Sequence, residues 1–375
     1  MNKEDVWSLF VYLGMIAIAL IIGFSVLQPA ITDGNLIKDA SQGQVFGYLL
    51  LAIVIGILLN SLFLELGHAL GAKIGGYNII SFNILGLEIA TISKDGEKKK
   101  KVRFFKPFDG LVGETKIIPE KEKSNPIGFI IIPLIFFLLE AVAMYCAFIF
   151  IPDEVNGYFN PLNPLKYGII IVAAIGLMFA LYDYIPLHID TTTDGYRLTL
   201  LTKQVNVEAY NELLSIEGKS YLGEKIAAIK EFKEVTDFTT KLNVLGAYLS
   251  FDNSDIKSTI DKLDYILNNQ KNLTKSTIFE VKVDKIFFTF LKSGKEAGEK
   301  EYDALTLEER KSIAGCNSMK YMRLYILYAG LVENSPSEVE YCLKKERKVL
   351  DREEPFYRDR EERYFALAKE KVEQK

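Results

Sequence analysis

Apolar residues are distributed unevenly along this chain: long uncharged runs crowd its first half, while the second half spaces them three and four apart. Runs at residues 9–28, 47–70, 127–151 and 167–187 are each long enough to cross a hydrocarbon core of about 30 Å. Four transmembrane spans are therefore expected. The third contains Pro133, where a kink or a junction between two helical pieces is expected.

Between the second and third spans, KIGGYNIISFNILGLEIATISKDGEKKKKVRFF alternates apolar with polar residues and has a turn signal at Asp95-Gly96. A small sheet or hairpin at the membrane face is expected there. The Gly- and Pro-punctuated stretch FKPFDGLVGETKIIPE, residues 105–120, reads as an ordinary surface loop near the presumed active face. From about residue 205, segments such as YLGEKIAAIKEFKEV and SDIKSTIDKLDYILNN show helical periodicity broken by Asn, Ser, Asp and Gly. Helix pairs such as 239–250 with 254–268 suit either a tetratricopeptide-like array or a plain helical bundle. The expected fold is thus an α-helical polytopic membrane domain, residues 1–204, with a small β hairpin or sheet, followed by an all-α soluble domain, residues 205–375.

Charge orients this arrangement. The connection between spans two and three carries Lys98–Lys101, Arg103, Lys106 and Lys116, whereas the next connection has only Lys166 at its far end. Basic loops stay on the cytoplasmic side, so four crossings place both termini in the cytoplasm, in what is expected to be a bacterial cell membrane. Span one follows an acidic MNKEDVW and no small-residue cleavage pattern comes after it, so it is expected to remain in the mature protein. A basic run beside a membrane is explained by anionic lipid, and with a net charge of -4 no nucleic-acid partner is expected. Cys146, Cys316 and Cys342 suggest neither a disulfide framework nor a cysteine-built zinc site.

The candidate chemistry lies where polar groups enter apolar sequence. Ionisable groups inside a membrane span are costly and face protein or a water-filled cavity. Glu65 and His68, three apart in LFLELGHALGAK, share one helix face. In zinc hydrolases two histidines at i and i+4 hold the metal and the Glu at i+1 activates water; here the i position is Leu64. The second cluster, IPLHIDTTTDGYRL at residues 185–198, offers His188, Asp190 and Asp194, with Gly195 permitting a tight turn. Asp183 is read as a partner for Lys166 or a cavity-facing group, and Glu140 as a packing partner of His68 or a substrate contact.

Glu65, Gly67, His68 and Ala72, followed by KIGGY and Phe82, together with Asp194-Gly195, resemble the site-2 protease family of membrane-embedded zinc metalloproteases over roughly residues 45–200. The likeness is greatest to a compact Gram-positive branch without a PDZ insertion. It implies Glu65 as general base or acid, His68 and Asp194 as zinc ligands, and hydrolysis of a transmembrane peptide bond. Leu64 departs from the pattern, because its side chain cannot coordinate a metal. The expected function is therefore a member without classical zinc protease activity that binds a membrane helix or partner protein. Residues 205–375 are expected to offer a cytoplasmic protein partner a docking surface. The alternative is an active intramembrane zinc protease whose ligands are rebuilt from His68, His188 and Asp194. Four spans without an inverted repeat argue against a transporter.

Overall fold

A computed structural model of the chain describes residues 3–94, 97–106, 111–120, 124–186, 193–224, 229–353 and 355–374. The chain divides into two compact units, Met1–Val207 and Glu208–Lys375. The expected turn at Asp95-Gly96 and the expected ligand His188 lie outside the described residues.

Helix α1, Lys3–Ile22, continues through a π-turn at Gly23–Leu27 into α2, Gln28–Thr32. Helix α3 runs unbroken from Gln42 to Gly75. Its start is fixed by a capping box in which Gln44 Oε1 accepts from the Ser41 backbone N–H at 2.8 Å. It ends on Gly76, whose φ of 82° suits a residue without a Cβ. At 34 residues it is about 51 Å long, more than the hydrocarbon core requires. Four strands follow: β1 Tyr77–Ile84, β2 Leu87–Lys94, β3 Glu97–Arg103 and β4 Gly113–Pro119. They pair antiparallel in the order β3-β2-β1-β4, with an irregularity between Ile79 and Ser81 against β4.

Helix α4, Ile127–Phe150, is continuous through Pro133, so this proline does not separate two helical pieces. A two-strand hairpin, β5 Glu154–Val155 with β6 Tyr158–Phe159, turns on Asn156 and Gly157, both at positive φ. Helix α5, Asn163–Tyr184, then runs to the loop before Pro186, and the short α6 spans Asp194–Leu200. Among the described residues, four helical stretches are long and apolar enough to cross a membrane: Leu9–Thr32, Gln42–Gly75, Ile127–Phe150 and Asn163–Tyr184. Exposed Ile135, Leu138, Leu139 and Val142 on α4, and Leu50, Leu51, Val54 and Leu58 on α3, give these helices the apolar exterior a bilayer requires.

Small residues let the helices meet closely. A Cβ at Gly71 would stand 2.1 Å from Gly128 O, and one at Gly67 would stand 2.6 Å from the Pro133 Cα, so α3 and α4 touch through their backbones. Asn60 ties α3 to α5 by donating from Nδ2 to Val172 O at 2.9 Å.

Helix α7, Gln204–Tyr221, crosses the boundary between the units. The second unit continues with α8 Asp237–Asp252, α9 Ile256–Asn268, α10 Lys275–Ser293, α11 Lys295–Asp303, α12 Leu307–Ala314, α13 Met319–Leu327, α14 Pro336–Leu350 and α15 Pro355–Glu373. Its core holds Phe287, Phe288, Phe290, Tyr364 and Phe365 around a fully buried Arg323. That guanidinium pairs with Asp284 and lies 3.2 Å from Glu361, and Tyr248 donates to Asp284 at 2.7 Å.

Candidate functional site

The site forms where α3, β4, α4, the end of α5 and the start of α6 converge. Glu65 and His68 sit one turn before the C-terminal part of α3 and are 2% and 8% exposed. Glu65 Oε2 accepts from the Thr115 hydroxyl of β4 at 2.6 Å. The glycine opening β4 makes room for this: a Cβ at Gly113 would lie 3.0 Å from Glu65 Oε1. His68 is held from behind, with Nδ1 at 2.9 Å from the carbonyl of Phe129 on α4 and its ring 4.7 Å from the Phe129 ring centre.

Asp194 enters from the other side. Thr193 caps α6 by accepting from the Tyr196 N–H, and its own hydroxyl donates to Ile185 O at 3.0 Å. Gly195 lets that turn press against the end of α5, where a Cβ would meet Tyr184 O at 2.2 Å. The result places Asp194 Oδ2 at 3.5 Å from His68 Nε2, although the residues are far apart in sequence. Asp194 Oδ1 accepts from Arg197 at 3.2 Å. Burial pushes the Asp194 carboxyl up to about 6, against the opposing pull of Arg197.

For two acidic residues one of the two alternatives is excluded. Lys166 pairs with Asp153 at 2.9 Å, which leaves Asp183 to the site. Asp183 Oδ1 accepts the Asp194 backbone N–H at 3.1 Å, and ligand atoms of His68, Asp183 and Asp194 all lie within 4.8 Å of one another. Glu140 does not pack on His68; it meets Gly176 on α5 beside Asn60, where a Cβ at Gly176 would stand 2.1 Å from Glu140 Oε2 and 2.5 Å from Asn60 Oδ1.

The stretch 105–120, expected to be a surface loop, instead contributes β4 with Thr115, and Val112 just before it. Its strand, GETKIIP, carries no apolar-polar alternation that would announce it. Val112 matters because it clusters with Phe137 and Leu64, which is 3% exposed, and Phe179, Ala180 and Tyr184 pack against that cluster. One helical turn before His68, where a second imidazole would complete a two-histidine zinc set, the site is filled with hydrocarbon.

The donors present fit zinc in part. Asp194 Oδ2 is buried without a hydrogen-bond partner among the described residues, and His68 Nε2 points to it. These two donors suit a metal and Asp183 lies close to both, while the Leu64 position supplies no ligand. Comparison with protein-family models, curated proteins and solved structures finds no match.

Proposed function

We propose that this is a site-2-protease-like integral membrane protein that has given up two-histidine zinc proteolysis and binds a transmembrane helix or membrane partner. The observation that carries this reading is Leu64, packed on Val112 and Phe137 at the position of the missing ligand. Reorganising that apolar contact to admit a metal ligand would open a gap and cost packing energy.

A cleft of about 370 Å³ supports the binding half of the reading. Tyr48, Leu51, Ile55, Val172, Gly168 and Glu140 line it. The Glu140 oxygens and Asn60 Oδ1 have no hydrogen-bond partner among the described residues. In hydrocarbon such acceptors need a donor, and a polar side chain on a partner helix supplies one while its apolar neighbours fill the cleft. Exposed Lys99–Lys101 on β3 support a reading in which the sheet, both termini and the second unit are cytoplasmic. There the helical second unit is a docking surface for a soluble protein.

Energy transfer between labelled full-length protein and single-span peptides in lipid vesicles tests this. Peptides bearing one mid-span Lys or Asn are expected to associate more tightly than an all-Leu peptide, and Glu140→Leu is expected to remove the difference. Equal association of all peptides with both forms would contradict it.

A second reading, an active intramembrane metalloprotease, is favoured by the convergence of Glu65, His68 and Asp194. In it Glu65 serves as general base, and a further ligand, for which His188 is one candidate, completes the metal set.

A further inference from the structure

The orientation of His68 poses a problem of protons. Its Nδ1 faces the Phe129 carbonyl, which accepts hydrogen bonds only, so Nδ1 carries a hydrogen. In the neutral ring Nε2 then presents a lone pair, and that lone pair faces Asp194 Oδ2 at 3.5 Å. Oδ2 is itself an acceptor, buried and without a hydrogen-bond partner among the described residues, on a residue only 2% exposed. Asp183 brings a third acceptor within 4.8 Å of both. Three lone-pair donors thus converge on one another. A backbone carbonyl fixing the far nitrogen of an imidazole is also the usual support of a metal-bound histidine.

We propose that His68, Asp183 and Asp194 hold a divalent transition-metal ion, with Asp183 standing in for the ligand that Leu64 cannot provide. The His68–Asp194 spacing suits this: bonds of 2.0–2.2 Å at a tetrahedral ion put neighbouring donors about 3.4 Å apart, close to the 3.5 Å between His68 Nε2 and Asp194 Oδ2, and Asp183 lies within 4.8 Å of both. One imidazole and two carboxylates are a donor set for zinc or manganese. Asp183 is also pre-positioned. The Asp194 N–H holds its Oδ1, and the same contact fixes the start of α6, so one carboxylate joins the helix end to the site. The competing explanation is a proton: a doubly protonated His68 paired with Asp194, with Asp183 serving only to cap α6.

Metal content of the full-length chain separates the two. The detergent-purified protein is loaded with zinc, or with manganese in parallel, passed over chelating resin, and its metal counted for wild type, D183N, D183H, H68A, H188A and C146A. Wild type, D183H, H188A and C146A are expected to keep about one ion per chain, and D183N and H68A at least about tenfold less. The Asn oxygen in D183N can still accept the Asp194 N–H, so the cap is retained while the charge is lost. A second reading needs no variant: the zinc absorption-edge spectrum of wild type is expected to show one imidazole and two oxygen donors from protein. Wild type without metal, D183N as full as wild type, or two imidazoles in the spectrum would each overturn the proposal. This inference does not depend on the function proposed above. A metal-loaded chain that cuts no peptide leaves both standing, a metal-free one that cuts none removes only the metal site, and a metal-loaded one that cuts removes only the loss of proteolysis.

Discussion

Leu64 is the residue on which the chemistry turns, and its burial makes its role measurable. Leu64→His puts a polar ring among Val112 and Phe137, so the metal-free variant is expected to lose about 1–3 kcal/mol. Zinc is expected to recover part of that loss, because an imidazole there is one turn from His68. Thermal melting with and without zinc reads both effects; a metal-free variant as stable as wild type would mean that Leu64 is not packed as described. At this scale the sequence was partly legible. Glu65 and His68 announce themselves as ionisable groups in an apolar run, and Asp194-Gly195 as a polar turn after one. Asp183 gives a weaker signal, which leaves a partner for Lys166 and a cavity-facing group both open. A carboxylate at the end of a span reads as a water-boundary group, and only the packing of the end of α5 beside α3 and α6 brings it to His68.

Among the elements, the crossing of α3 and α4 sets the site, because it carries His68 to the Phe129 carbonyl. Gly71 lies one turn beyond His68 on the same helix, and any side chain there meets the backbone of Gly128. Gly71→Ala is expected to destabilise the membrane unit by about 1–3 kcal/mol through overpacking. Gly47→Ala, where a Cβ meets nothing within 4 Å, is expected to be neutral or slightly stabilising. Unfolding in mixed micelles compares the two; equal effects would show that the close crossing is not a constraint. The four apolar runs were readable because membrane spans need long uninterrupted hydrocarbon. Strand β4 was not, since its pairing with β1 is a long-range event that seven residues with a glycine and a proline at their ends do not advertise.

At the scale of the whole molecule, an apolar unit with a polar centre is joined to a helical unit with its own buried charge network. The periodicity of the second half indicated helices, but not that Arg323 would lie at their centre: a lone arginine in MKYMRLYIL reads as a solvated position. With Arg323 and Asp284 both fully buried, Asp284→Asn leaves a guanidinium partly uncompensated and is expected to cost about 3–5 kcal/mol. Hydrogen exchange in α10 and α13 of the full chain measures this, and unchanged protection would show that the network does not stabilise the unit. The function of the first unit rests on whether its site cuts. The deciding measurement is mass spectrometry of a single-span peptide with a mid-span helix break, co-reconstituted in excess zinc with wild-type chain or with Glu65→Gln. Intact peptide in both is expected; fragments formed by wild type and absent with Glu65→Gln would show an active protease and contradict the loss of proteolysis.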